Sequence, residues 1–247
     1  MTELELIKKE NQELKARLDR LEGIDKDCIP TYSFSKITDT ELKQLVKIKQ
    51  SLNHNIFDNW FNFSLNFDDE TINFFTHLIE KNILFIKKYN EEDLKVKFII
   101  PLLNRIDFFS FKEEFRDFYE LPLKYATEKF IFQGTTDFVV SKGLFESEKP
   151  YFFIQEFKKG QKNGYPEPQL LAELISAIEL NNEKMMRGAY IVGATWNFVI
   201  LEKVGKNSYQ YFVSRDFLST NIEDLKAIYK NLLFVKQEII EKIEAGE

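Results

Sequence analysis

The stretch YFFIQEFKKGQ, residues 151–161, decides how the rest of the chain is read. Aromatic and β-branched residues run up to Phe157, a composition that predicts a buried strand. Alternate residues of a strand share a face, so Glu156 and Lys158 point together while Phe157 points away. A buried strand that ends by aiming a carboxylate and an amine in one direction has two explanations. One is a solvated ion pair, worth about 0–1 kcal/mol. The other is the rim of a chemical site, and the surrounding sequence has to separate them.

Short β-type runs surround this stretch: KFIFQG and TTDFVVSK before it, then GAYIVGATW, NFVILEKVG and SYQYFVS after it. Between them PEPQLLAELISAIELNNEK predicts a helix with Leu170, Leu174, Ile175 and Ile178 on one face. A last helix is expected from Ile222 to about Ala245. Strands around an inserted helix imply an α/β or α+β fold with a central mixed sheet flanked by helices.

The N-terminal third reads differently. Leu4, Ile7, Asn11, Leu14, Leu18 and Leu21 recur in steps of three and four, the a and d positions of a heptad. Asn11 at an a position favours a parallel, in-register pair, and Glu3 with Lys8, Glu10 with Lys15 and Arg17 with Glu22 are opposite in sign across such a pair. Residues 1–22 are therefore expected to form a homodimeric coiled coil; a short amphipathic helix docked on its own domain is the other reading. Residues 23–89 are expected to be a helical extension, with Gly23 ending the first helix and a linker after it. Thr38 to Glu41 is a capping box opening a helix with Leu42, Leu45, Val46 and Leu52 turned inward. NWFNFSLNF is a strand or an irregular aromatic segment, Asp68 or Asp69 caps the next helix, and Asn90 caps another that Pro101 should kink or end. The third unit is expected over 90–247.

Composition narrows the function. The chain has 247 residues, 44% hydrophobic with 25 phenylalanines, enough for a large packed core. Its single cysteine, Cys28, excludes an internal disulfide and fits a reducing, cytoplasmic home. The N-terminal residues have no apolar stretch of the signal-peptide kind, and no run is long enough to span a bilayer. A net charge of −6 weakens any simple DNA-coating reading. It leaves a metal-dependent nuclease open, because carboxylates bind cations that then supply positive charge. With only His54 and His77 available, histidine-based metal sites and hydrolases are poorly supported.

Four polar residues fall at telling places. Asp137 follows Gly134 at what reads as a turn opening a strand, Glu156 and Lys158 close the next strand, and Gln169 lies in the first turns of the helix after it. Two carboxylates at neighbouring strand ends beside a lysine can hold hard divalent cations through oxygen. The lysine can then position or help deprotonate an attacking water, or stabilise phosphate charge.

This order resembles the PD-(D/E)xK nuclease superfamily, and within it the N-terminal nuclease region of type I restriction-enzyme motor subunits. That group's helix pattern is matched by Glu91, Asp93, Lys95, Lys97, Phe98, Ile99, Pro101, Leu102 and Leu103. Its strand start is matched by Gly134-Thr135-Thr136-Asp137-Phe138, its Glu-x-Lys by Glu156-Phe157-Lys158, and its helical glutamine by Gln169. The resemblance covers about residues 90 to 205; Thr136 stands where the superfamily's name has proline, and the helicase motor is absent.

The resemblance implies a restriction-endonuclease-like core of about four strands. It implies that Asp137, Glu156 and the Phe157 carbonyl hold Mg²⁺ or Mn²⁺, with Glu91 on a second metal or on a metal-bound water. Lys158 would handle the attacking water and Gln169 would orient Lys158 or the substrate. Lys159 and Lys162 in the loop KKGQKNG are candidates for phosphate-backbone contacts, although a charged surface loop has the same composition. The expected function is a metal-dependent nuclease acting on DNA in a restriction, defence or mobile-element setting, its coiled coil pairing two active sites or joining a larger defence complex. The alternative from another class is a catalytically silent nuclease fold that binds nucleic acid or scaffolds a partner.

Overall fold

The structure, a computed structural model, describes residues 29–158 and 165–246. The heptad residues Leu4, Ile7, Asn11, Leu14, Leu18 and Leu21, Cys28, and the loop lysines Lys159 and Lys162 lie outside the described residues.

In chain order the elements begin with β1 (Thr31–Ser33), α1 (Asp39–Leu45), β2 (Lys47–Gln50), α2 (Asp58–Phe61) and α3 (Asp69–Asn82). Next come α4 (Glu91–Leu94), a π-helical turn over Lys95–Ile99 and α5 (Ile100–Ile106), which run on as one helical segment. Strands β3 (Phe109–Ser110), β4 (Phe115–Ala126), β5 (Ile131–Lys142) and β6 (Glu148–Lys158) follow, then α6 (Glu167–Asn181). The chain closes with β7 (Met185–Val192), β8 (Thr195–Gly205), β9 (Ser208–Val213), β10 (Phe217–Leu218) and α7 (Ile222–Ala245). The helix starts follow from local chemistry: Thr38 and Glu41 form the capping box of α1, Asp68 caps α3 and Asn90 caps α4. The π turn immediately precedes Pro101, which has no N–H to give and whose ring crowds the carbonyl four residues back; the wider turn absorbs both.

The protein is α/β, with an open mixed sheet of ten strands among the described residues. The main path runs β2-β9-β8-β7-β6-β5-β4-β3, with β1 beside β5 and β10 beside β8. Most neighbours are antiparallel; β6 and β7 are parallel, because α6 carries the chain back across the sheet between them. Each face has its own core. Phe138, Phe153, Phe157, Ile191, Phe198 and Ile200 pack on one side against α7 and the α3 to α5 helices. Val139, Ile154, Tyr190, Val199 and Tyr209 pack on the other against α6 and α1.

Several expectations are corrected. Residues 23–89 are not purely helical: β1 joins β5 in parallel, and β2 joins β9 in parallel. Pro30 keeps the residue before it extended and its carbonyl accepts from Ile131 N–H at 2.9 Å, which starts β1. The segment also shares its core with the rest, since Phe57, Trp60, Phe75 and Leu78 pack with Phe138 and Phe153. Leu52 is 79% exposed rather than inward, because α1 ends at Leu45 and β2 follows. NWFNFSLNF is a short helix, α2, followed by irregular chain. KFIFQG and TTDFVVSK fuse into β5, and Gly193-Ala194 divides GAYIVGATW so that Trp196 belongs to β8.

Two glycines matter through close approach. A Cβ on Gly134 would lie 2.9 Å from Phe34 Cδ2, so its absence lets the segment after β1 press onto β5. A Cβ on Gly188 would lie 2.9 Å from Ile154 O and 3.1 Å from Leu174 Cδ2, so glycine there lets α6 lie close on β6 and β7.

Candidate cation and active site

Asp137 lies in the interior of β5 and not at a turn, which corrects the sequence reading. It sits where the ladder breaks on both sides. On the β4 side, Tyr119 pairs with Phe138 and Leu121 with Thr136, while Glu120 between them has φ +50°. On the β6 side, pairing begins at Phe138 with Gln155, and one step further along sets Asp137 beside Glu156. Asp137 uses this gap: its Oδ2 accepts from the Phe157 backbone N–H at 2.8 Å and its Oδ1 from Lys95 Nζ at 2.7 Å.

Glu156 shares the α6 face with Ile154, and Lys158 returns along that face so that its Nζ donates to Glu156 Oε1 at 2.9 Å. The pair is not the solvated one that the tripeptide alone permits, because the Glu156 side chain is 1% exposed and that of Lys158 17%. Glu156 Oε2 is buried and has no hydrogen-bond partner. Gln169 lies in the first turn of α6, and its Nε2 donates to Glu173 Oε1 at 3.1 Å. Glu173 is fully buried and its Oε2 also lacks a partner. Asp137, Glu156, Lys158 and Gln169 therefore meet at one place, with Lys95 and Glu173 joining them. Glu91, the first residue of α4, is half-buried and close enough to raise the Lys158 pKa through its charge. The Phe157 side chain fills the opposite core, and its backbone passes directly beside Asp137.

The electrostatics match this crowding. Burial, then the neighbouring Glu173 and Asp137 charges, push the Glu156 carboxyl well above the usual carboxylate range. Burial does the same to Glu173, and the Gln169 bond only partly counters it. Burial alone would favour a neutral Lys158, but Glu156 beside it more than offsets this and holds the ammonium charged. Lys95 is likewise held protonated: burial opposes the charge, and Asp137 and Glu120 outweigh it.

A divalent cation fits this donor set. Among the described residues, no three His, Cys, Asp or Glu side chains gather closely enough to hold an ion unaided. Two carboxylates, a backbone carbonyl and water are nevertheless a usual oxygen set for Mg²⁺ or Mn²⁺. The unpartnered oxygens of Glu156 and Glu173 are what a hydrated cation would satisfy. Lys158 and Gln169 also line a cleft of about 370 Å³, walled by residues 34–39 on one side and by Tyr165 and Pro168 on the other. The cleft thus reaches Lys158 and Gln169, while the Glu156 and Glu173 carboxylates are themselves buried.

Sequence reasoning gave Lys95 no role beyond its place in the helix pattern and overlooked Glu173. Each had a signal: Lys95 is four residues from Glu91 and Glu173 four from Gln169, so each shares a helix face with a residue already singled out. Trp196 is fully buried in the core and offers no surface for stacking. No helix of the described residues is long and apolar enough to cross a membrane. Neither the models of known protein families nor the sequences of curated proteins give a match to this chain.

Proposed function

We propose that the chain is a metal-dependent nuclease with a restriction-endonuclease-like core of the PD-(D/E)xK kind, acting on DNA. The observation that carries this reading is the convergence of Asp137, Glu156 and Lys158, with Lys158 reaching a cleft and a buried Glu156 oxygen left without a hydrogen bond. Burying a carboxylate there carries a desolvation cost that apolar packing would not.

Asp137, Glu156 and the Phe157 carbonyl would hold Mg²⁺ or Mn²⁺, which when bound polarises the scissile phosphate and lowers the pKa of a coordinated water. In hydrolysis the water oxygen bonds to phosphorus, one P–O ester bond breaks, and the departing oxygen ends as a hydroxyl after taking up a proton. Lys158 would position or help deprotonate the attacking water, or stabilise phosphate charge. Glu91, at the start of α4 near Lys158, is placed to orient a second water. Gln169 braces Glu173 rather than Lys158. Pairing of two such sites through residues 3–22 would give double-strand cleavage, and a restriction or defence setting is the context in which such an enzyme is useful.

The test is cleavage of plasmid, linear and single-stranded DNA with Mg²⁺ or Mn²⁺ by the native chain, Asp137→Ala and Lys158→Ala. Activity in the native chain alone supports the reading. No cleavage by the native chain of any of these substrates or of RNA, with either metal, contradicts it and favours a silent nucleic-acid-binding or scaffolding module.

A further inference from the structure

The Glu173 carboxylate is costly to leave where it is. It lies on α6 between Leu170 and Leu174, and no part of it reaches solvent. One oxygen has the Gln169 amide at 3.1 Å and the other has nothing. A buried carboxyl without its full complement of hydrogen-bond partners is destabilising. The same helix fills its neighbouring positions with leucine, alanine and isoleucine, so packing does not demand an acid there.

Two further observations bear on what it could bind. Glu156 is close enough to feel its charge and also carries an unpartnered buried oxygen. Gly188 lets α6 approach β6 closely enough for the two carboxylates to sense each other. Two adjacent acids, each with one oxygen lacking a donor, suit a cation carrying water molecules whose O–H groups point outward. Direct coordination of one ion by Asp137, Glu156 and Glu173 together is not available in this geometry.

We propose that Glu173, braced by Gln169, accepts hydrogen bonds from water molecules on the cation held by Asp137 and Glu156, and so is a positioning residue for that cation. This rests on the nuclease reading and adds to it a role for the α6 glutamate. It also gives Gln169 its task, which is to fix one Glu173 oxygen so that the other faces the ion.

The experiment is calorimetric titration of the full chain with Mn²⁺, using the native protein, Glu173→Gln and Gln169→Ala, with melting of each protein in chelator measured alongside. Outer partners of a metal site typically contribute about 10- to 100-fold to affinity. The expected result is native binding, at least about tenfold weaker binding by Glu173→Gln, and a smaller loss for Gln169→Ala. Glu173→Gln should melt at or above the native temperature without metal, since it removes one of two crowded acids. Native-like Mn²⁺ affinity in Glu173→Gln overturns the proposal while leaving the nuclease reading intact. If that variant does not fold, native-like affinity in Gln169→Ala overturns it. No Mn²⁺ binding by the native chain removes the cation site itself, and the role of Glu173 with it.

Discussion

Two clusters of buried charge sit on adjacent strands, and they are built to opposite plans. On β7, Arg187 makes a two-pronged pair with Glu238 of α7, Nε to Oε2 at 2.8 Å and Nη2 to Oε1 at 2.9 Å. Its guanidinium also lies over the Trp60 ring, 4.8 Å from the centroid, and near Phe234. One positive group meets one negative group with matched geometry, and both Glu238 oxygens are used. On β6, Glu156 and Glu173 crowd Asp137, Lys158 bonds one of the acids, and two carboxylate oxygens have no partner. The first cluster is complete within the protein and ties α7 to the sheet. The second is complete only with something added. Among the carboxylates of these two clusters, unmet hydrogen bonds, more than burial or charge alone, set the β6 cluster apart.

The largest test of that contrast is functional. Asp137→Asn and Lys158→Ala should each lower DNA cleavage by at least about 100-fold per folded molecule, even though removing Lys158 from the buried Glu156 also lowers stability. Native-like cleavage per folded molecule in both variants would make the β6 cluster structural after all.

Arg187→Ala should do the reverse. Leaving Glu238 without its partner and uncovering Trp60 should lower unfolding free energy by about 3 kcal/mol in urea titrations. Mn²⁺ affinity of the folded fraction should stay unchanged. A large drop in affinity with little loss of stability would erase the distinction between the clusters.

A smaller effect is expected at Lys95, whose ammonium lies on Asp137 Oδ1, a metal-facing oxygen in this account. Lys95→Met should tighten Mn²⁺ binding several-fold in calorimetry, because a competing cation is removed, and should slightly lower the melting temperature in chelator. Weaker binding would mean that Lys95 supports the site rather than competes for it.

The smallest is a pH trend. Burial raises the carboxyl pKa of both Glu156 and Glu173, so the folded state binds their protons more tightly than the unfolded chain. Their contribution is fully present below the usual carboxylate range near 4.5 and is lost as pH rises through the folded values. In chelator, the melting temperature should therefore fall from pH 5.5 to pH 8. Asp68 and Glu41, whose pKa values are lowered by their caps, act only at lower pH. Glu167 and Asp117 are shifted in the same direction as the pair, so the decisive comparison is the flatter slope expected of Glu173→Gln. An identical slope in that variant would remove Glu173 from the titration.

Much of this arrangement was legible in the sequence. The shared face of Glu156 and Lys158 follows from strand geometry alone, and α7 begins and ends at the expected residues, Ile222 and Ala245. The capping residues Thr38, Asp68 and Asn90 announced themselves through side-chain chemistry. What the sequence hid were pairings between distant segments. TYS and KIKQ are too short and too polar to read as strands, and they become strands only because β5 and β9 offer free edges. Asp137 was read as a turn residue because Gly134 suggested a turn; the glycine is there for Phe34 instead. Glu173 was concealed in a helix whose apolar residues lie on several sides, the pattern of a helix buried all round. That pattern, read strictly, already requires its acid to be buried.

The most direct test is a crystal of the native chain soaked in Mn²⁺ and measured at a wavelength where manganese scatters anomalously. The account predicts an anomalous peak between the Asp137 and Glu156 carboxylates, with Lys95 moved off Asp137. Full Mn²⁺ exposure with no peak there, and with Lys95 and Lys158 still bonded to Asp137 and Glu156, would contradict it.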